Sequence, residues 1–442
     1  MKTPNTLLAT VLALLAAIST AHATVRYVNA NGATPTPPYT NWATAATTIQ
    51  QAVNAAVAGD EIVVTNGTYG PLTYGPVRGG IPVTVQSVNG PGVTVINGGG
   101  LGTCVSLANN AVMVGFTLTN GVGEYAGGAY GGTLNNCTLT GNSAFDGGGA
   151  YSSTLNNCAL TGNSAGGGQG GGAWYCTLSN CTLTGNSAFE GGGALDCSLN
   201  NCTVTGNSAD IGGGAGDSTL NNCIVYYNSA SYEPNYYSSS TLNYCCTTPL
   251  PGSGIGNITN VPLFVDYAGG NLRLQSDSPC INSGDNAYVV GTTDLDGNPR
   301  IVGGTVDIGA YEYQTPTSIL SYAWLQQYGL PTDGSADYAD TDGTGQNNLF
   351  KWVAGLDPTN PASVFVLNIA AVPNQSQAMN LNFNPLALGR AYTPQFSTDL
   401  VNGVWMPLTT YTGTMTNGNQ VTITDTNPIP PQEFYRIDIT LP

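Results

Sequence analysis

The chain is poor in histidine and in positively charged residues. Its 442 residues include one histidine, His22, and 8 lysines and arginines against 25 acidic residues, for a formal charge of −17. With no histidine beyond His22, Ser-His-Asp chemistry, Cys-His chemistry and His-ligated zinc are excluded from the body of the chain. The acidic balance disfavours nucleic acid, anionic membranes and polyanionic polysaccharides that lack a bridging cation.

Long apolar runs are also scarce, and the clearest one stands at the start. Residues 1–23 contain Lys2, an apolar run from Leu7 to Ala17 and a small-residue exit at Ala21-His22-Ala23, which is the pattern of a secretory signal. Cleavage before Thr24 removes the only histidine and leaves 7 basic and 25 acidic residues, a charge of −18. No later stretch approaches the roughly 18 apolar residues of a spanning helix. We therefore expect a secreted, cell-surface or outer-membrane-associated protein with no membrane span after cleavage.

Glycine is abundant, and much of it belongs to a repeat. The chain has 60 glycines, and six cysteines recur at steps of 21, 23, 21, 21 and 22 residues: Cys137, Cys158, Cys181, Cys202, Cys223 and Cys245. Phe116 stands 21 residues before the first of them. A short fixed period indicates stacked units that cannot bury a core singly. Glycine costs about 1 kcal/mol per residue in a helix, so the pattern favours strands.

One repeat, TLNNCTLTGNSAFDGGGAYSS from Thr133, predicts three short strands separated by three turns. Such units stack in parallel about 4.8 Å apart, so equivalent residues form columns. The expected columns are the cysteines with Phe116; Asn142, Asn163, Asn186, Asn207 and Asn228; and Ala129, Ala150, Ala173, Ala194 and Ala215.

Each column has two interpretations. Stacked asparagines at a bend hydrogen-bond to one another and to turn backbone, and ligand binding is the alternative. The cysteines, including a second short column of Cys176 and Cys197, are expected to be mostly free buried thiols, with disulfides as the alternative.

The segments around the repeat predict a lid and a stack of rungs. A strand at Val25–Val28 precedes a helix from Thr48 to Ala58, which carries Ile49, Val53 and Val57 at helical spacing and ends at Gly59. This helix is expected to cover the open end of the stack. Regular rungs span about 111–247, and looser rungs are expected to continue to about 314.

A change of pattern follows residue 314. Residues 315–361 predict a helical linker that includes SILSYAWLQQYGL, and residues 362–442 alternate as in a small β-sandwich-like antiparallel domain. Trp405 and Phe434 are the expected core residues of that domain.

The repeat resembles that of polymorphic outer-membrane proteins, whose marks are F-x-x-N and G-G-A-I. Leu or Val replaces the Phe, but the asparagine column matches, as does the Gly-Gly-Ala of Gly148-Gly149-Ala150 and its equivalents. The segment from Pro262 through DLDGNPRI to DIGAYEYQ looks like the end of bacterial β-helix proteins of the choice-of-anchor kind. TIQQAV and GDEIVV are similar to the N-terminal cap of pectate-lyase-like β-helices. Over residues 24–314 the resemblance implies a right-handed parallel β-helix, an all-β solenoid.

A candidate calcium loop lies in the linker. Asp340, Asp342, Thr344 and Asn348 stand at positions 1, 3, 5 and 9 of a segment that resembles thrombospondin type 3 and dockerin-like loops. Ca²⁺ takes oxygen ligands at such alternating positions, and the loop has a glycine at position 6. Lys351 stands at position 12, where a bidentate Glu is expected, so we predict weak Ca²⁺ binding, with a turn-rich linker as the alternative.

Several residues invite a catalytic interpretation. Asp146 and Glu190, two of four turn acids that also include Glu124 and Asp210, lie two rungs apart, and paired carboxylates can perform acid/base work on a glycan. Solvated turn acids are the competing interpretation. Arg300 is the best of the β-helix arginines for a lyase base; the others are Arg26, Arg78 and Arg273. A salt bridge is the competing role for Arg300.

Aromatic residues follow the alanine column at Tyr130, Tyr151 and Trp174. They form either a strip on which sugars stack or a purely structural stack. No catalytic residue is assigned from the sequence. The leading interpretation is a non-enzymatic surface or secreted scaffold with an extracellular glycan or cell-surface partner, either adhesive or glycan-binding. The alternative is a polysaccharide lyase or glycoside hydrolase.

Overall fold

The computed structural model describes residues 23–73, 81–375, 378–401, 403–426 and 432–441. The predicted signal, apart from Ala23, and the candidate Arg78 lie outside these ranges. The described chain forms a right-handed parallel β-helix followed by two short helices and small antiparallel sheets, which confirms the predicted fold class.

Three parallel sheets of ten, nine and seven strands form the walls of the β-helix, because a complete rung contributes one strand to each. Sheet 1 contains Val25–Val28, Glu61–Val64, Thr84–Ser87, Val112–Val114, Thr133–Asn135, Thr154–Asn156, Thr177–Ser179, Ser198–Asn200, Thr219–Asn221 and Thr241–Asn243. Sheet 2 contains Gly67–Tyr69, Thr94–Asn97, Thr117–Thr119, Thr138–Thr140, Ala159–Thr161, Thr182–Thr184, Thr203–Thr205, Ile224–Tyr226 and Cys246–Thr247. Sheet 3 contains Leu72–Thr73, Val105–Ser106, Ala129–Tyr130, Ala150–Tyr151, Ala173–Trp174, Ala194–Leu195 and Ala215–Gly216.

Some rungs carry a fourth short strand where three were predicted. It follows the asparagine column, at the corner between sheets 2 and 3, and comprises Val122–Gly123, Ser143–Ala144, Ser164–Ala165, Ser208–Ile211 and Ser229–Tyr232. The corner between sheets 1 and 2 is tighter. There the second Asn of each repeat, such as Asn136 with φ 52°, adopts the left-handed conformation that Asn tolerates better than most residues.

The predicted columns are present and buried. The backbone N–H of Cys181 donates to Sγ of Cys202 at 3.4 Å, and the same contact recurs along the column. The structure holds all eleven cysteines as buried free thiols. In the asparagine column, Nδ2 of Asn186 donates to Oδ1 of Asn207 at 2.9 Å and to the Leu160 carbonyl at 3.0 Å. These contacts support the structural interpretation of both columns.

A short helix covers the first rungs. Helix α1, Ile49–Ala55, begins with a capping box between Thr48 and Gln51 and buries Ile49, Ala52 and Val53. The prediction that it extends to Ala58 is wrong, because Ala56 has extended backbone and the Val57 N–H donates to the Asp60 carboxylate. Val57 is consequently exposed and does not belong to the buried face.

The looser rungs predicted up to residue 314 are replaced by another arrangement. Parallel pairing ends at Cys246–Thr247 and a bridge from Cys246 to Ile258, followed by an antiparallel hairpin of Phe264–Asp266 and Asn271–Leu274.

Residues 285–310, here called the corner strap, include the 3-10 helix Asn286–Tyr288 and run back outside the stack. Side-chain amides at the corner between sheets 1 and 2 donate to strap carbonyls: Asn222 to Asp285, Asn201 to Tyr288, and Asn180 to Val290 and Thr293.

Two helices follow the strap. Helix α2, Tyr322–Gln327, lies within the segment predicted to be helical. Helix α3, Asn348–Ala354, was not predicted, although Asn347 caps its start and Gly355, with φ 71°, ends it. A 3-10 helix, Trp42–Thr44, near the N-terminus completes the helical elements of the described residues.

The C-terminal residues form two antiparallel sheets. One orders Val366–Ala371, Met379–Asn384, Gln420–Asp425 and Tyr411–Asn417; the other orders Met406–Pro407, Ala391–Ser397 and Phe434–Thr440. Their buried core is Leu381, Phe383, Leu408, Val421 and Ile423.

The two core residues predicted for these sheets do not belong to the core. In the last strand Tyr435 and Ile437 pack against the core. Because side chains alternate along a strand, Phe434 faces away from this core. Trp405 lies under the Arg436 guanidinium, with 4.6 Å from Cζ to the ring centroid.

Candidate functional site

An aromatic surface lies on sheet 3, along the middle of the β-helix. Strand alternation turns Ala129, Ala150 and Ala173 into the core, so that the next residue of each strand faces outward. Those residues are Tyr130, Tyr151 and Trp174, in register. Tyr125 and Tyr175 flank them, and we call these five side chains the aromatic strip.

The rings of the aromatic strip contact one another in series. Ring centroids are 5.4 Å apart for Tyr130 and Tyr151, 5.1 Å for Tyr151 and Trp174, and 4.8 Å for Trp174 and Tyr175. Tyr125 lies 5.8 Å from Tyr151. The exposed fractions of Tyr125, Tyr130 and Tyr175 are 46%, 44% and 52%. The aromatic strip is therefore a run of exposed and partly exposed rings, which makes it a candidate interaction surface.

Polar side chains border the aromatic strip on both sides. Asp196 accepts a hydrogen bond from Nε1 of Trp174 at 3.1 Å, which fixes the indole orientation. On the other side, burial and the charges of neighbouring tyrosines and Asp146 raise the pKa of Tyr151. Carboxylates of Asp196 and Asp146 therefore lie beside the rings of the aromatic strip.

The candidate acid pair is part of this border. Asp146 and Glu190 lie on one corner with Gln169 between them. Oδ1 of Asp146 accepts the Gln169 backbone N–H at 2.8 Å, and Oε2 of Glu190 accepts the Gln169 side-chain amide at 3.3 Å. Both carboxylates thus have structural partners, and both side chains remain partly exposed. Of the other two turn acids, Glu124 accepts the Asp146 backbone N–H with its backbone carbonyl at 3.0 Å. Among the described hydrogen bonds none joins the side-chain carboxylate of Glu124 or Asp210 to this pair.

The described arginines of the β-helix are engaged with carboxylates. Arg300 is 1% exposed, lies 4.0 Å from Glu312 and donates to the Asn201 side chain and to the Gly309 carbonyl. This burial prevents it from acting as a lyase base on a polymer and supports its competing role. Arg273 pairs with Asp296, and Arg26 with Asp60.

The candidate calcium loop contains its own cation. The Lys351 ammonium pairs with the Asp342 carboxylate, and both side chains are almost fully buried. Asp340 accepts backbone N–H groups from Thr344 at 3.1 Å and Gly345 at 2.8 Å. Asn348, at the start of α3, uses its side-chain oxygen to accept from Thr341.

Electrostatics around Asp342 agree with this pairing. Burial pushes the pKa of Asp342 upward, but hydrogen bonds from Lys351 and Thr344 outweigh it and hold the pKa below its usual value. Within the described ranges no group of three or more His, Cys, Asp or Glu side chains is arranged to hold a metal ion. The Lys351 ammonium thus pairs with a carboxylate that the predicted calcium loop would use as a ligand.

Sequence reasoning found three of the five strip residues. It missed Tyr125 because this residue belongs to the preceding corner, and Tyr175 because it occupies the left-handed bend after the strand, with φ 51°. Asp196 and Gln169 were also missed, since a column pattern does not show which neighbours touch across rungs. None of the described helices is long and apolar enough to cross a membrane.

Comparison with known proteins gives fold neighbours at low identity. No family model matches the chain, and no curated protein matches it. Among solved structures, the pectate lyase Pel9A aligns with a TM-score of 0.42 and 14% identity over 66% of this chain and 96% of that chain. Pectin methylesterase PemA from Erwinia chrysanthemi aligns with a TM-score of 0.28 and 10% identity over 50% of this chain and 78% of that chain. The chain is thus similar to these proteins only at low sequence identity and low TM-score, and this similarity is not evidence for an activity.

Proposed function

We propose that the protein is an exported β-helix scaffold, secreted or held at the cell surface, that binds neutral extracellular glycan chains without cleaving them. The observation that carries the proposal is the aromatic strip. Tyrosine and tryptophan offer rigid apolar faces at low entropic cost, and such residues dominate recognition surfaces. Tyr130, Tyr151 and Trp174 come from successive rungs with ring centroids 5.4 and 5.1 Å apart, so sugar units of a chain lying along the strip can contact one ring after another.

The border of the strip supports a neutral glycan in particular. Asp146, Glu190 and Asp196 offer carboxylate oxygens that accept hydrogen bonds from hydroxyl groups. The same negative charges, with the net charge of −17, repel uronic acid polymers.

A glycan array followed by titration calorimetry tests the proposal. Trp174→Ala is expected to weaken binding of a neutral β-glucan, mannan or xylan by about tenfold, the loss typical of one stacked aromatic anchor. Tyr338→Ala, which removes a 68%-exposed tyrosine in the linker, is the matched control and should leave affinity unchanged. Equal affinities for both variants and the parent protein would reject the strip as the binding surface.

The alternative function is a glycoside hydrolase, and the observation that favours it is the position of Asp146 beside the strip. Structural hydrogen bonds engage Asp146 and Glu190 on a glycine-rich corner, where the placement a catalytic pair requires, within about 0.5 Å, is hard to hold. We therefore expect no release of reducing ends, and no unsaturated products, from the glycans that bind. Turnover that disappears in an Asp146→Asn variant would replace the scaffold proposal with the enzymatic one.

A further inference from the structure

A cavity of about 810 Å³ lies at the end of the β-helix, away from the aromatic strip. Three parts of the chain enclose it: the last rung and the start of the corner strap, the two linker helices, and the C-terminal sheets. Its volume falls within the usual range of small-molecule sites.

One side of the cavity is apolar and aromatic. Trp324 and Tyr328 of the α2 segment line it, with ring centroids 5.3 Å apart at an interplanar angle of 67°. Trp352 from α3 lines it as well, and all three side chains are partly exposed. The cavity therefore offers ring faces to a ligand.

Two opposite charges also line the cavity. Asp285 is 5% exposed, and its Oδ1 accepts the Ala287 N–H at 2.9 Å. Arg390 donates from Nε to the Val353 carbonyl at 2.5 Å and from Nη2 to the Trp352 carbonyl at 3.3 Å, which holds the guanidinium in place. Asp285 and Arg390 are not among the ion pairs within 4.0 Å in the described chain, but the charge of Arg390 lowers the pKa of Asp285.

Tyr244 lines the cavity, and its hydroxyl lies next to Gly389, the residue before Arg390. Burial raises the pKa of Tyr244, Asp285 raises it further and Arg390 opposes the rise. Burial also raises the pKa of Asp285, against the opposing effect of Arg390. A fixed acceptor, a fixed donor and a hydroxyl thus line the same cavity as the aromatic rings.

We propose that this cavity is a second binding site and that its ligand is a neutral sugar of one or two pyranose units. A hydroxyl group both donates and accepts, so neighbouring sugar hydroxyls can donate to Asp285 and accept from Arg390. Buried charged partners reject ligands that lack these hydroxyls. Asp285 disfavours a uronate, and the tryptophans provide the apolar faces on which a pyranose stacks.

Titration of the full mature chain with methyl glycosides and neutral disaccharides, followed by calorimetry and tryptophan fluorescence, tests the proposal. Asp285→Asn retains an oxygen that can accept the Ala287 N–H but loses the charge, and it should weaken binding by about tenfold. Tyr244→Phe keeps the ring and should weaken binding by a smaller factor. Asp210→Asn, an exposed Asp outside the cavity, is the matched control and should bind like the parent.

The two sites are separable by cross-variants. Trp174→Ala should leave short-sugar binding at the cavity unchanged, and Asp285→Asn should leave polymer binding at the strip unchanged. The cavity proposal is overturned by the absence of a heat or fluorescence change at millimolar sugar, by unchanged affinity in both cavity variants, or by a preference for galacturonate. The strip proposal survives each of those outcomes.

Discussion

Each cysteine of the main column fills the same buried position in its rung. Burial raises the pKa of the Cys158, Cys181, Cys202 and Cys223 thiols, because a thiolate would lose its hydration in the core. These thiols are therefore poor nucleophiles, and their contribution is packing.

Cys181→Ala is expected to lower the free energy of unfolding by about 1 kcal/mol, as for the loss of one small buried group. Cys181→Asp should disrupt several rungs, because it places an unpaired charge in the core. Urea titration monitored by circular dichroism measures both changes. Thiol titration should label none of the eleven cysteines in the native protein and all of them after denaturation. Detection of five disulfides would contradict the free-thiol interpretation.

Asn186 has a larger role than its cysteine neighbour. Its Oδ1 accepts both the backbone N–H and the side-chain amide of Asn163, while its Nδ2 donates to Leu160 and Asn207. Asn186→Ala leaves several buried groups without partners, so we expect a loss of about 2–4 kcal/mol. The same urea titration compares this variant with Cys181→Ala. A smaller loss for Asn186→Ala would show that water replaces the missing bonds.

In the candidate calcium loop of the linker, the Lys351 side chain takes the place of a calcium ligand. The Lys351 ammonium forms a salt bridge with Asp342, at the position where calcium loops of this pattern bind their ion. We propose at most weak Ca²⁺ binding by the natural protein and its abolition by Asp342→Ala.

Lys351→Glu tests the role of this lysine in the loop. The variant restores two carboxylate oxygens at position 12 and removes the competing charge, so it should strengthen Ca²⁺ binding by about tenfold or more. Calorimetry with Ca²⁺ measures both proteins, and Mg²⁺ serves as the control ion. Tight Ca²⁺ binding by the natural protein would show that Lys351 leaves the loop when the ion enters.

Two buried acids near Arg300, Asp307 in the corner strap and Glu312 just after it, make the stability of the molecule pH-dependent. Burial raises the pKa of Glu312 from 4.5 to about 9 and that of Asp307 from 3.8 to about 7. For an acid with a raised folded-state pKa, the unfolded chain releases its proton first as pH rises. The contribution to stability is therefore complete below about pH 4 and is lost as pH rises toward about 9.

The melting temperature should accordingly fall between weakly acidic and weakly alkaline pH, and Glu312→Gln should flatten that slope. Calorimetric scans across this range measure the slope, with Asp210→Asn as the control that retains it. A parent protein whose stability rises with pH would contradict the assignment.

The sequence predicts the elements well where they repeat and less well elsewhere. The period of the repeat is enough to predict which residues stack in columns, so Cys181, Asn186 and Ala173 lie where expected. The strap was mistaken for further rungs because its contacts, such as Asn201 to Tyr288, join residues 87 positions apart and leave no local pattern. The strip was found in part, whereas the cavity depends on Trp324, Trp352 and Arg390 meeting from separate segments.

At the scale of the whole molecule, the negative charge disfavours polyanionic polysaccharides as partners. The chain combines few cations with a net charge of −17, and each described β-helix arginine lies within 4.0 Å of an acidic side chain. We expect no binding to pectate, alginate or heparin at low salt, where electrostatic attraction would be strongest. Surface plasmon resonance with these polymers, compared with a neutral glycan, measures the difference. Salt-sensitive binding to any of the three would contradict the proposed preference.

The 23-residue rung has a consequence for protein engineering. Its two additional residues lie between Gly166 and Gln169 at a corner. Asn163 nevertheless hydrogen-bonds to Asn186, and Ala150 pairs with Ala173. Gly166 and Gly167 are exposed. The solenoid therefore tolerates extra chain at this point without losing alignment above or below it. A foreign epitope or enzyme inserted there would have a defined position along the β-helix, in the same rung as Trp174 of the aromatic strip.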